Sequence, residues 1–72
     1  MRRNTAEEIC ILLLRHAKEL DAALARVLEI EGDTEDYRRY RGYVGRAMGK
    51  ILLEGLNPLF SEFPELKPPE LD

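Results

Sequence analysis

The stretch ICILLLRHAKELDAALARVLEI, residues 9–30, decides the fold. Within it Ile9, Leu13, His16, Leu20, Ala23, Val27 and Ile30 recur in alternating steps of four and three. That spacing is the seam of a helix packed lengthwise against another helix. Leu12, Ala17, Leu24 and Leu28 flank the seam and widen the apolar arc to about 160°, enough for a helix with two neighbours. Arg15, Lys18, Glu19, Arg26 and Glu29 occupy the opposite side, with Ile11 and Leu14 toward that polar side.

Outward from this stretch, Thr5-Ala6-Glu7-Glu8 has the pattern of a capping box and predicts a helix over about residues 5–31. Gly32-Asp33 marks a stop and restart. Gly32 suits a positive φ, and Asp33 or Thr34 can cap a second helix over about residues 34–56, with Glu35 and Asp36 in its first turn. Tyr37, Tyr40, Val44, Ala47, Met48, Ile51 and Leu52 form its apolar arc, so Tyr37 and Tyr40 are expected in the core. So short a connection folds the two helices back as an antiparallel hairpin. Asn57-Pro58 reads as another cap and first helical position, opening a short third helix over about residues 58–63. Leu59, Phe60, Phe63 and Leu66 are expected to close one end of the hairpin, and residues 64–72 to form an extended tail.

The chain has 72 residues, one small helical domain, in which a single core is marginal without a staple or a partner. Cys10 is the only cysteine and His16 the only histidine, so no intrachain disulfide can form, and the two supply only two of the four good ligands that a structural metal needs. Oligomerisation and regular helix packing are the remaining routes. A net charge of −3 does not favour nucleic acid or anionic lipid. The basic start Met1-Arg2-Arg3 is followed by Glu7-Glu8 and an apolar run of only six residues, Ile9–Leu14, which reads as neither a signal peptide nor a membrane span. A cytoplasmic protein is the expectation.

Four features bear on function. Gly42, Gly45 and Gly49 form a row on the second helix, where each costs about 1 kcal/mol against alanine. The return expected for that cost is close backbone approach of another helix; the alternative is a kink. With Ile9, Leu13, His16 and Leu20 this row forms the expected oligomer interface. His16, central in the seam, reads as a hydrogen-bonded core residue rather than a ligand or base. Arg39, Arg46 and Lys50 with Tyr43 form a basic stripe, a candidate anion or nucleic-acid contact that reads first as a solvated charged face. Tyr43 lies off the apolar arc and is the aromatic residue most suited to an outside contact.

Phosphate loop, paired-cysteine and nucleophile-elbow motifs are all missing, and no cofactor, metal or small-molecule substrate is implied. The expectation is an all-α protein whose hairpins pair into a dimeric four-helix bundle, acting as a non-enzymatic, self-associating adaptor. Nucleic-acid binding through the basic stripe is the alternative, and a phosphotransfer or other enzyme using His16 is a third.

Overall fold

The computed structural model describes residues 1–69. It is all-α: α1 (Arg3–Glu31), α2 (Glu35–Lys50), a π-helical stretch (Ile51–Leu56), α3 (Asn57–Glu62) and a 3₁₀ turn (Pro64–Leu66). The molecule is elongated, 43 × 21 × 16 Å, and the 29 residues of α1 at about 1.5 Å each span its whole length.

The capping box does not form. α1 starts two residues before Thr5, with Arg2 at the cap position and the Ala6 amide donating to the Arg2 carbonyl over 2.9 Å. The first turn is packed against the far end of the chain: Ala6 is buried in a core with Leu59 and Phe60, and Arg3 pairs with Glu65 at 3.1 Å as well as with Glu7 of its own helix at 2.8 Å. At the other end Gly32 has φ 79° and donates its amide to the Leu28 carbonyl, a conformation that favours glycine. Thr34, not Asp33, caps α2: its hydroxyl accepts from the Tyr37 amide at 3.1 Å. Asp33 is engaged instead with Arg38.

α2 runs unbroken past Gly42, Gly45 and Gly49, so the glycine row does not interrupt the helix. The restart expected at Asn57 is also missing. Asn57 has helical angles, makes no cap, and donates its amide five residues back to the Leu52 carbonyl. Helix therefore continues from Glu35 to Glu62 through one widened turn. Two causes coincide there. Pro58 has no amide to give, and in an α register its ring would meet the carbonyl four residues back. The extra residue also turns the following face by about 100°, bringing Leu56, Leu59 and Phe60 round to the side that Val44 faces.

Contacts between the arms descend one as they climb the other. Leu13 lies against Gly55, Leu14 and Ala17 face Met48 and Leu52, and Leu24 and Val27 face Tyr40 and Val44. The main core sits at one end, where Ala6 and Cys10 of α1 meet Leu56, Leu59 and Phe60, with Leu13, Ile51, Phe63 and Leu66 packed around them. The segment expected to be an extended tail is instead a 3₁₀ turn at Pro64–Leu66, held by Leu66 against that core. Lys67 after it has the extended angles expected of the tail, φ −70° and ψ 121°, and residues 70–72, the end of the expected tail, lie outside the described residues.

Candidate interaction surface

The predicted seam of α1 splits in two. Leu13, Leu20 and Val27, seven residues apart, are half-buried between the arms. His16, Ala23 and Ile30, also seven apart, are exposed, and Ile9 at the head of their row is half-buried. A row repeating every seven residues stays on nearly one side of a helix, drifting only about 20° per repeat, so the second row is an outward face. The inward positions are Ala6, Cys10, Leu13, Ala17, Leu20, Leu24 and Val27. Leu14 belongs with them: placed toward the polar side by sequence, it packs against the core and lines a groove with Met48.

His16 is therefore not a core residue in the single chain. It is exposed, in a shallow depression with Leu12, Leu13, Arg15 and Glu19. Tyr40, expected in the core, is 48 % exposed, while Tyr37 is half-buried. Tyr43 is 53 % exposed, consistent with its place off the apolar arc.

Two apolar grooves run between the arms, on opposite faces. One is lined by Leu20, Ala23, Leu24, Val27, Tyr40 and Tyr43. The other is lined by Leu14, Ala17, Met48, Gly49 and Leu52. Leu14 and Ala23 are nine residues apart, about half a turn out of phase, and Tyr43 and Gly45 are about 200° apart, which sets the grooves back to back. The expected interface residues are thereby divided. His16 lies on the face of the first groove with Ala23, whereas Gly45 and Gly49 lie on the face of the second. One two-fold contact cannot use both sets.

The glycine row does not serve the chain's own α1. A β-carbon on Gly45 or Gly49 would meet nothing within 4 Å, and on Gly42 only the Arg46 guanidinium at 3.3 Å. The glycine that does admit a neighbour is Gly55, where such a carbon would lie 3.0 Å from a Leu13 methyl.

Charges on the basic stripe are largely engaged along their own helix. Arg39 pairs with Asp36 at 3.2 Å and stacks over the Tyr40 ring, and Lys50 lies 4.0 Å from Glu54. These exposed pairs contribute little to stability, yet they offset the positive charge along the stripe. Cys10, buried among apolar side chains, has its thiol pKa pushed up by burial and further by the negative charge of Glu7. Among the described residues no group of three or more His, Cys, Asp or Glu is placed to hold a metal ion, and no helix is long and apolar enough to cross a membrane.

The chain matches no protein-family model, no curated protein and no solved structure.

Proposed function

We propose that this chain is a small non-enzymatic interaction protein working as a homodimer, in which two antiparallel helical hairpins pair into a four-helix bundle. One observation carries the reading: the chain has far more apolar surface than its own core uses. Among the described residues only Ala6, Cys10, Val44, Leu56, Leu59 and Phe60 are buried hydrophobic residues, while Ile11, Leu12, Leu28, Ile30, Tyr40, Tyr43, Leu52 and Leu53 remain between 42 % and 66 % exposed. The chain exposes 5517 Å² for a mass of 8.3 kDa, against about 4,600 Å² for a compact monomer of that size. The excess of about 900 Å² is close to the roughly 800 Å² that one partner contributes to a stable interface. Burying such a surface supplies the hydrophobic stabilisation that a chain this short otherwise lacks.

Light scattering behind a sizing column, over a range of concentrations, tests this. Twice 8.3 kDa is the expected mass, and 8.3 kDa at every concentration overturns the reading. Nucleic-acid binding through Arg39, Tyr43, Arg46 and Lys50 has weaker support, because Arg39 and Lys50 already face Asp36 and Glu54.

A further inference from the structure

We infer that the second copy seats on the outward row of α1, Leu12, His16, Ala23 and Ile30, continued onto α2 by Tyr40 and Tyr43, and not in the opposite groove that Gly49 lines. The inference rests on the reading that the chain self-associates, and it assigns the face.

Length decides first. From Leu12 to Ile30 the row covers 18 residue steps, about 27 Å of helix at about 1.5 Å each, and at its hinge end it broadens across both arms. A face of that extent suits the excess surface of about 900 Å², the share of one partner in a standard interface. The opposite groove is short. It is lined by Leu14 and Ala17 on one arm and by Met48–Leu52 on the other. Toward the hinge, Lys18, Asp21, Arg38 and Arg41 follow on the same sides of the two helices, and all four are exposed. Covering that face would bring these four charges out of water, which adds a desolvation cost.

Chemistry then selects a copy over a different protein. Apolar and aromatic side chains fill the middle of the face, the composition that interface centres favour. Arg15 and Glu19 lie next to His16, and farther along the exposed side Arg26 pairs with Glu29 at 3.2 Å. Around Tyr40 and Tyr43 the rim continues through Asp36, Arg39, Arg46, Lys50 and Glu54, so both signs occur along it, five positive against four negative. A two-fold copy presents the same mixture and can meet charges with their opposites, whereas a strongly acidic or basic partner would find about half of the rim repulsive.

The experiment compares Ala23→Glu and Ile30→Glu on the outward face with Gly49→Glu in the groove. Ala23 and Ile30 are exposed, and a β-carbon at Gly49 would meet nothing within 4 Å, so none of the three substitutions begins with a backbone clash. Helix content by circular dichroism confirms that each variant folds. Light scattering and sedimentation equilibrium then give the dimer dissociation constant. Ala23→Glu and Ile30→Glu are expected to weaken dimerisation at least tenfold, with Gly49→Glu left within about twofold of the parent chain. A parent chain that is monomeric throughout overturns the self-association reading and this inference with it. A dimeric parent that Ala23→Glu and Ile30→Glu leave intact overturns the inference alone; loss of the dimer in Gly49→Glu at the same time reassigns the copy to the groove.

Discussion

Leu13 occupies the space that Gly55 leaves by having no side chain: a β-carbon at Gly55 would stand 3.0 Å from a Leu13 methyl, closer than ordinary van der Waals contact. Of the four glycines between Gly42 and Gly55, this one touches the opposite arm, and it does so beside the main core.

That difference predicts opposite responses to the same substitution. Gly45→Ala and Gly49→Ala are each expected to stabilise the chain by about 0.5–1 kcal/mol, because the methyl enters open space and the unfolded chain loses freedom. Gly55→Ala is expected to gain nothing, since the methyl must displace Leu13 from its core contacts; Gly55→Val, larger and branched, is expected to cost about 1–3 kcal/mol. Urea unfolding of the four variants measures this. A Gly55→Ala variant as stable as Gly45→Ala would mean that Leu13 moves aside freely.

Helix positions, the Gly32 stop and the apolar closure by Leu59, Phe60, Phe63 and Leu66 were legible in the sequence because each depends on local pattern. The facing of α1 was not. Its apolar arc is wider than one neighbour can cover, so periodicity marked His16 and Leu13 alike and could not say which row turns inward. Position within the pair decides that, through the Leu13–Gly55 contact. The capping box at Thr5 failed for a related reason: α1 starts at Arg3 and Ala6 is buried in the end core with Leu59 and Phe60, a tertiary placement that no local signal carries. The π-helical stretch did leave a trace, as the inward stripe advances by five residues from Ile51 to Leu56 where a helix advances by three or four.

Cys10 offers a reporter for the end core. Its side chain is 4 % exposed, and burial and Glu7 both raise the thiol pKa, so little thiolate is present near neutral pH. The folded chain should react with a thiol reagent far more slowly than the chain in denaturant. Phe60→Ala or Leu56→Ala, each removing a wall of the same core at about 2–5 kcal/mol, should raise the rate many-fold. Equal rates in folded and unfolded protein would mean that the end core opens readily.

Asp33 and Thr34 stabilise the same turn by means that pH separates. Arg38 hydrogen bonds to the Asp33 carboxylate at 3.0 Å and by its charge holds the Asp33 pKa below the ordinary 3.8. The folded pKa is the lower one, so this contribution is present above the unfolded value and fades as pH falls through the folded value. Asp33→Asn should therefore lower the melting temperature slightly at neutral pH, the pair being exposed, and the gap to the parent chain should close once pH has fallen through the folded value. Thr34→Ala removes an uncharged cap worth about 1 kcal/mol, and its deficit should persist at both pH values. Melting curves of both variants at neutral and acid pH give the comparison; a Thr34→Ala deficit that also vanished in acid would contradict it.

The two causes of the π-helical stretch can be tested apart. In an unbroken α register Leu56, Leu59, Phe60 and Phe63 would face about 110° away from the line of Val44 and Ile51, and one extra residue turns them back by about 100°. If this phase is what holds the widened turn, Pro58→Ala alone should leave it in place, with Cys10 as protected as before. Deleting Leu53, whose side chain is 66 % exposed, removes the extra residue but returns Pro58 to an α register at a cost of about 3 kcal/mol. Deletion of Leu53 should thus destabilise by itself and recover when combined with Pro58→Ala, because the straight helix then presents the same inner face to Cys10. Deleting Arg46 instead, within regular α2, should swing the end core out of phase and expose Cys10 whatever stands at position 58. Thiol reactivity and urea unfolding read all four outcomes. A reactive Cys10 in Pro58→Ala would show that the proline, not the packing of Leu59 and Phe60, sets the turn.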